Sequence, residues 1–309
     1  MKKLLITGGT GFIGRNLCEQ LADKYDIIAP TSRDLDLLDE EALSRFLEKA
    51  GFDVIIHTAT WNATRTSDKN LSKVLENNLR MFLNLTRCEG EYGKMIYYGS
   101  GAEFGREHWH PMMREEDILR HVPKDAYGFS KYIMAQYTLG HPHIYNLRLF
   151  GVYGKYEDWR IRFISNACAR CVHDLPITIR QNACFDYLHV DDLVRVTRWF
   201  IENTPAQKTV NVCTGKTNEL LTLAELVRKV SGKNLDILIS QDGMGREYSG
   251  DNSRMLTQTG GITFKDVEAG IADLYRWYEE NKSNLNRDVL LAEAEYDKVA
   301  INKTSMRFR

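Results

Sequence analysis

The sequence predicts an α/β protein in which a doubly wound parallel sheet is joined to a smaller C-terminal α/β lobe. Short apolar runs suited to buried strands alternate with amphipathic helical stretches through the first half of the 309 residues. A glycine-rich turn joins the first strand to the first helix, as at the start of a βαβ unit. After Val152 the pattern becomes irregular, which indicates the second lobe.

The elements of the predicted sheet follow one another along the chain. The first strand is the apolar run Leu4 to Ile6, and the helix that begins at Arg15 places Leu17 and Leu21 on one face. Further strands are predicted at residues 26–29, 53–58, 94–98, 143–149 and 209–212, with helices at 40–49 and 71–88. The strand at 209–212 is expected to return to the sheet late in the chain.

Three glycines between the first strand and the first helix indicate a dinucleotide site. Gly8 allows a tight turn, Gly11 lets backbone N–H groups approach a pyrophosphate, and Gly14 lets the helix pack closely on the strand. The phosphate charge then lies at the helix N-terminus, where unpaired N–H groups and the macrodipole favour an anion. An ordinary tight turn is the alternative, but the flanking strand and helix favour cofactor binding in a Rossmann arrangement.

Composition argues against several classes of partner. Charge is nearly balanced, at 41 basic against 42 acidic residues, and no basic stripe suggests nucleic acid. No apolar run reaches the length of a membrane span, and no secretory signal is visible. Cys168 and Cys171 are the only close cysteine pair, without a second pair to complete a zinc site, so no metal is expected. These features predict a reduced, cytoplasmic protein.

The end of the second strand bears on the choice between NAD and NADP. A carboxylate there would bond the adenosine ribose and favour NAD, but the chain reads Ala29-Pro-Thr-Ser-Arg33. Ser32 and Arg33 suit a 2′-phosphate, so the sequence predicts NADP(H), with NAD as the alternative. If Arg33 is simply a solvated loop charge, this inference is lost.

Two further segments supply residues for acid–base chemistry at an alcohol or ketone. Ser100 follows a predicted strand, at the edge where ligands bind in such sheets. Tyr127 and Lys131 are four residues apart and therefore share one helix face. A free phenol, with a pKa of about 10, is a poor base at neutral pH, and a nearby ammonium stabilises its ionised form. A Tyr-x-x-x-Lys pair alone could be a surface pair, but the glycine turn and Ser100 favour catalysis.

Together these motifs resemble the extended short-chain dehydrogenase/reductase family, in its NAD-dependent epimerase/dehydratase branch, over residues 3 to about 281. The resemblance implies a catalytic triad of Ser100, Tyr127 and Lys131 that acts on nucleotide sugars. It also implies that the cofactor is contacted by the glycine turn, by the ends of neighbouring strands and by the triad helix. The implied cofactor-binding positions are Gly8, Thr10, Gly11, Phe12, Ile13, Gly14, Ser32, Arg33, Thr58, Ala59, Asn78, Tyr127 and Lys131.

Departures from the family pattern narrow the predicted reaction. Dehydratases of this branch carry an Asp-Glu pair directly after the catalytic hydroxyl residue, where this chain has Gly101 and Ala102, and Glu103 is one place too late. Elimination of water is therefore not expected. Residues 32–39 are similar to those of NADP-dependent 4-keto sugar reductases. Some of these reductases also epimerise, with a cysteine and a histidine that are not evident here.

A second departure concerns the substrate. The family often has an arginine immediately before Asp186 that contacts the substrate diphosphate, and Phe185 stands there instead. Arg180 and Arg246 are the candidate substrate-binding replacements. Arg246 lies in Gly245-Arg-Glu-Tyr248, a segment similar to the family's nucleotide-binding arginine segment.

The sequence therefore predicts NADPH-dependent reduction of a 4-keto nucleotide-diphosphate sugar, with a 6-deoxy sugar favoured. An NAD-retaining nucleotide-sugar 4-epimerase would use the same triad and is the main alternative, and a non-catalytic, cofactor-sensing regulator is a third. The dinucleotide-binding domain is predicted at 1–152 and 184–214, the substrate lobe at 153–183 and 215–284, and a tail at 285–309. The resemblance also implies a homodimer that pairs the helix at 71–88 with the helix of Tyr127.

Overall fold

A parallel sheet of six strands forms the centre of the protein in a computed structural model that describes residues 1–61, 64 and 66–292. Its strands are β1 (Lys3–Thr7), β2 (Asp26–Ile28), β3 (Phe52–His57), β4 (Tyr92–Ser100), β5 (Ile144–Leu149) and β10 (Thr209–Val212). They lie in the order β10-β5-β4-β3-β1-β2, and every pairing is parallel. The predicted sheet is confirmed, including the late return of residues 209–212.

Helices cover both faces of this sheet because alternate strand residues point to opposite sides. The helices of this half are α1 (Phe12–Leu21), α2 (Glu40–Ala50), α3 (Val74–Arg87), α4 (Ala126–Gly140) and α6 (Val190–Glu202). Leu4 and Ile6 of β1 pack with α1 and α6, whereas Leu5 packs with α2, α3 and α4. All three are fully buried. The doubly wound arrangement follows from this two-sided burial.

The C-terminal lobe has its own apolar cluster and three two-stranded pairings. The remaining strands and α-helices of the described residues are β6 (Gly151–Tyr153), β7 (Ile177–Asn182), β8 (Cys184–Phe185), β9 (Tyr187–His189), β11 (Asn218–Glu219), β12 (Ile237–Met244), α5 (Phe163–Val172), α7 (Leu220–Ser231), α8 (Ser253–Thr259) and α9 (Val267–Glu280), of which α8 packs on β10 of the central sheet. Strand β6 pairs with β9, β7 with β12, and β8 with β11. Helices α5, α7 and α9 pack on one another around the cluster, which includes Cys168 and Cys171.

The predicted tail is partly wrong, since its first residues belong to the lobe. Leu285 and Leu290 are buried in the lobe cluster. The buried guanidinium of Arg170 donates to the Leu290 carbonyl at 2.8 Å. The rest of the predicted tail, 293–309, lies outside the described residues. The other lobe boundaries stay a prediction. None of the helices in the described ranges is long and apolar enough to cross a membrane.

Candidate active site

The glycine turn places the N-terminus of α1 directly against the end of β1. Gly8 has a φ of +71°, and a Cβ there would lie 2.8 Å from the backbone of Ala59. A Cβ at Gly14 would overlap the Gly8 carbonyl. Gly11 donates its N–H to that same carbonyl at 2.9 Å, which closes the turn. Glycine is therefore needed at position 8 by the backbone conformation and at position 14 by the close approach of helix and turn.

A cleft of about 1450 Å³ opens beside this turn and extends to the C-terminal lobe. Most of the predicted cofactor contacts line it. They are Gly8, Thr10, Gly11, Phe12, Ile13, Gly14, Ser32, Thr58, Ala59 and Tyr127. The volume exceeds that of an ordinary small-ligand pocket, and a helix N-terminus without side-chain bulk faces it. These residues fit a dinucleotide.

Asn78 lies behind this lining rather than in it. It is buried in α3, and its Oδ1 accepts from the Trp61 N–H at 2.7 Å and from the Thr60 hydroxyl at 3.2 Å. Thr60 and Trp61 themselves line the cleft. The structure thus places Asn78 where it holds the segment that follows β3, and its predicted contact with the cofactor stays a prediction.

The turn after β2 carries a carboxylate that the sequence did not reveal at this point. Asp34 folds back so that its Oδ2 accepts from the Thr31 N–H at 3.0 Å and from the Thr31 hydroxyl at 2.7 Å. The expectation that no carboxylate lies at this tip is therefore wrong. Ser32 lines the cleft, and Arg33 is exposed on the same turn.

The predicted triad residues converge on the end of β4. Asp125 caps α4 by accepting from the Gly128 N–H at 2.9 Å, which sets the register of its first turn. Lys131 is buried, and its Nζ lies 5.9 Å from the centroid of the Tyr127 ring. The same Nζ donates to the Tyr98 carbonyl at 2.7 Å, two residues before Ser100. The lysine therefore ties the tyrosine helix to the strand that ends at the serine.

A buried histidine lies near this lysine without adding charge. The Nδ1 of His57 and the Thr7 hydroxyl are 2.8 Å apart and share a hydrogen bond. Burial, and secondly the Lys131 ammonium, lower the pKa of His57 to about 3. The imidazole is therefore neutral at physiological pH, and its part here is to hold the ends of β1 and β3 together.

The segment after Ser100 is fixed by a buried ion pair. Glu103 is fully buried, accepts from the Ser100 N–H at 3.0 Å and pairs with the Arg148 Nε at 2.6 Å. Its carboxylate thus points into the core and not toward a ligand. Gly101 and Ala102, which precede it, carry no ionisable group.

The two predicted substrate arginines lie apart. Arg180 is exposed on β7, and Arg246 is exposed beyond β12, where its guanidinium donates to the Glu107 carbonyl. Arg162, which the sequence analysis did not single out, lines the cleft at the start of α5. Its guanidinium makes no hydrogen bond within the described part of the chain. The segment that follows β6 carries both basic and acidic residues, so no charge pattern in the sequence singled out Arg162.

A glycine turn on a parallel sheet, with a serine and a Tyr-x-x-x-Lys helix at the neighbouring strand end, defines a dinucleotide-dependent oxidoreductase of the short-chain type. The family model described as the NAD dependent epimerase/dehydratase family matches residues 4–213, and the chain belongs to that family. The predicted resemblance to extended short-chain dehydrogenases is thereby confirmed. The protein is an enzyme, an NAD(P)-dependent oxidoreductase or epimerase, and not a non-catalytic regulator.

Individual relatives include both reductases and epimerases. A GDP-L-fucose synthase of Azorhizobium caulinodans is 26% identical over 301 residues, which span 90% of this chain and 96% of the relative. A solved GDP-mannoheptose C4 reductase from Campylobacter jejuni with NADP bound has a TM-score of 0.77 at 18% identity, covering 90% of this chain and 98% of that one. A UDP-glucose 4-epimerase from Thermotoga maritima with UDP-glucose has a TM-score of 0.78 at 20% identity, covering 91% and 99%. These two structures show the shared fold.

Proposed function

We propose that this enzyme reduces a 4-keto nucleotide-diphosphate sugar, with NADPH as the reductant. The observation that carries the proposal is the bond from Lys131 to the Tyr98 carbonyl, which holds Tyr127 beside the strand that ends at Ser100. The burial of Glu103 in its pair with Arg148 supports reduction over dehydration, because the one carboxylate bonded to the Ser100 backbone is turned into the core and away from a ligand.

The three side chains divide the acid–base work. The reduced nicotinamide, when bound, supplies the hydride that converts the keto carbon to a carbinol. The Ser100 hydroxyl donates a hydrogen bond to the reacting oxygen. Tyr127 gives that oxygen the proton that completes the alcohol, and the Lys131 ammonium stabilises the phenolate that remains. A positioned group of this kind contributes roughly 10²- to 10⁴-fold in rate.

The preference for NADPH rests on the turn after β2. Ser32 lines the cleft and Arg33 offers a permanently charged, planar donor group on the same turn. The Asp34 carboxylate is occupied by two bonds to Thr31, and those bonds hold it in the turn. A C4 reductase of the same fold is known with NADP bound, which supports the assignment.

For the substrate diphosphate we propose Arg162 and Arg246, with Arg180 as a further candidate. Arg162 lines the cleft, and against the raising effect of burial its positive charge acts to lower the pKa of the Tyr248 phenol. The Arg246 guanidinium donates a hydrogen bond to the Glu107 carbonyl, and Arg246 lies two residues before Tyr248 in the chain. A guanidinium suits phosphate because it presents several donors in one plane.

A 4-epimerase is the second candidate, and two observations favour it. The same triad serves an epimerase, and the Thermotoga maritima 4-epimerase shares the fold over 91% of this chain. The Asp34 carboxylate also lies at the strand tip where an acidic residue favours NAD.

The test is to purify the protein, identify the nucleotide that accompanies it, and follow NADPH absorbance with a panel of 4-keto nucleotide sugars. We expect NADPH to be consumed in step with the sugar, and no firmly bound NAD. Bound NAD together with interconversion of 4-hydroxy epimers, without loss of NADPH, would replace the reductase with the epimerase.

We also propose a homodimer through α3 and α4, in a cytoplasmic protein. These helices pack on each other, and Leu79, Tyr132 and Ile133 remain only partly buried on the pair. Phe82, by contrast, belongs to the core. Sedimentation at micromolar concentration should give the mass of a dimer, and a monomer would contradict the pairing.

A further inference from the structure

Residues 155–160, which follow β6 and which we call the strap, contact the dinucleotide-binding half of the protein near both of their ends. Residues 156–160 line the cleft together with the glycine turn. No motif in the sequence singled these residues out, and none of them belongs to the catalytic triad. Their contacts across the cleft therefore call for a separate explanation.

The first end of the strap is held on α1 by the Glu19 carboxylate. Its Oε2 accepts from the Lys155 Nζ at 2.7 Å, and its Oε1 accepts from the Tyr156 hydroxyl at 2.8 Å. The Arg15 guanidinium lies over the Tyr156 ring, 3.7 Å from the ring centroid. The Asn16 side-chain amide donates to the Lys155 carbonyl at 2.9 Å. These contacts join two residues of the strap to the helix that begins at the glycine turn.

The second end of the strap is held on the segment that follows β3. The Thr66 hydroxyl donates to the Asp158 Oδ2 at 2.9 Å. The Arg160 guanidinium donates to both oxygens of the same carboxylate, from Nε at 2.7 Å and from a terminal nitrogen at 2.9 Å, and so fixes its orientation. The strap therefore contacts the segments after β1 and after β3, and both of these segments contribute to the cleft lining.

The contacts of the strap lie at the rim of the cleft and not at its floor. The side chains of Arg15, Lys155 and Asp158 are 52%, 32% and 28% exposed. Thr7 and Gly14, which line the same cleft at the end of β1 and the start of α1, are buried. Solvent therefore reaches the contacts of the strap more readily than it reaches the glycine turn.

Tyr156 adopts a backbone conformation that bulky residues rarely take. Its φ is +73°, in the left-handed region. Such a conformation costs free energy and persists only where the surrounding contacts determine it. Here these contacts are the bond to Glu19, the stack with Arg15, and the Trp277 ring at 5.3 Å between centroids. Backbone strain that is maintained in this way beside a cleft indicates a functional role for the position.

We propose that the strap retains the bound dinucleotide, and that its contacts with α1 and Thr66 must open before the cofactor leaves. Hydrogen bonds and ion pairs at an exposed rim are individually weak, so the strap can open during turnover. A reductase exchanges its cofactor in every cycle, and opening of the strap then sets an upper limit on kcat. The proposal rests on cofactor binding in this cleft, which is part of the proposed function, and not on the identity of the sugar.

The first test measures release of the cofactor in the absence of sugar. Glu19→Ala removes the first anchor, and Thr66→Val removes the second with little change of shape. Bound NADPH is displaced by excess oxidised NADP, and its fluorescence is followed by stopped flow. We expect each variant to raise the dissociation rate constant about 3- to 10-fold, and the double variant to raise it more than either. If the protein is purified with NAD, the release of that NAD is measured instead, with the same expectation.

Glu268→Ala is the matched control, because it removes an exposed ion pair with Lys229 at 2.6 Å, and neither residue is among the described residues that line the cleft. This variant should release the cofactor at the wild-type rate. A dissociation rate constant within about twofold of the wild type in the double variant would overturn the proposal. A wild type that binds neither nicotinamide dinucleotide would contradict the cofactor site itself, and retention by the strap with it.

The second test separates retention from folding. Glycine adopts the φ of Tyr156 without strain, which offsets part of the lost ring contacts. Tyr156→Gly should therefore lower the thermal midpoint of the empty protein by less than about 5 °C. The same variant should release NADPH at least as fast as Glu19→Ala does. A loss of stability without faster release would show that Tyr156 serves the fold alone, and would overturn the proposal.

Discussion

The two sides of the cleft differ in the groups that line them. The cofactor side consists largely of backbone and small residues, with Gly8, Gly14 and Ala59 in contact that leaves no room for a Cβ. The side toward the C-terminal lobe is lined by charged and aromatic side chains, among them Glu157, Trp159 and Tyr278. We infer that the first side is fixed by the fold, whereas the second sets the chemistry through individual side chains.

The largest effect is expected from Tyr127→Phe, which removes the phenol hydroxyl that donates the proton. Turnover should fall roughly 10²- to 10⁴-fold, because the reacting oxygen loses its acid. NADPH affinity and thermal stability should be nearly unchanged, since the ring stays in place. Steady-state rates and NADPH titration check both statements, and near-normal turnover of the folded variant would remove Tyr127 from the mechanism.

The next largest effect concerns stability and comes from the buried carboxyl of Glu157, which lines the cleft. Burial raises the pKa of Glu157 from 4.5 to about 7, with Arg162 opposing this, and the carboxyl bonds the Ser165 hydroxyl at 2.5 Å. Because the folded chain binds this proton more tightly than the unfolded chain, the stability that protonation supplies is full below pH 4.5 and is lost as the pH rises through 7.

Glu157→Gln should therefore flatten the pH dependence of unfolding. As the pH rises from 4.5 to 8, the wild type should lose up to roughly 3 kcal/mol in free energy of unfolding that the variant does not lose. Denaturant unfolding across that range is the measurement. Glu225→Gln, an exposed position on α7, is the control. Parallel pH curves for wild type and Glu157→Gln would show that Glu157 is not the group responsible.

On the backbone side, Gly14→Ala should weaken NADPH binding roughly 5- to 100-fold, because its Cβ overlaps the Gly8 carbonyl and displaces the turn. Gly140→Ala is the matched control, since nothing lies within 4 Å of a Cβ there. Fluorescence titration with NADPH compares the two. If both variants bind NADPH as tightly as the wild type does, the turn accommodates a Cβ at position 14 and the steric requirement for glycine there is wrong.

The smallest effect concerns the exposed edge of the cofactor side. Arg33→Ala should weaken NADPH about 3- to 10-fold and NADH much less, because an exposed charge-assisted bond to phosphate is screened by solvent. Titration of both cofactors with both proteins is the check. Equal losses would argue against NADPH and favour the 4-epimerase.

The cofactor side was also the easier one to predict from sequence. Its strands and glycine turn are local patterns, and Tyr127 and Lys131 show their shared face through spacing alone. The pairing of Glu103 with Arg148 joins residues far apart in the chain, so no local pattern reveals it. The turn at Asp34 was misjudged because its side chain folds back three residues.

Four short strands that follow β5 were missed for a related reason. Strands β6, β8, β9 and β11 have two or three residues each, too few for a period of two to be visible. The helix predicted at 71–88 was nearly right, but Asn70 caps a short 3₁₀ turn at Leu71–Lys73 before α3 begins. Both cases show tertiary contacts deciding what a short stretch of sequence leaves open.

The most direct test of the central claim follows the hydride itself. The wild type and Tyr127→Phe are given a 4-keto nucleotide sugar and NADPH that carries deuterium at both hydrogen positions on C4 of the nicotinamide, and the product is examined by mass spectrometry and NMR. We predict one deuterium on the new carbinol carbon for each NADPH consumed by the wild type, and almost none with Tyr127→Phe in the same time. An epimerised sugar without deuterium, formed while NADPH is not consumed, would contradict the reductase assignment.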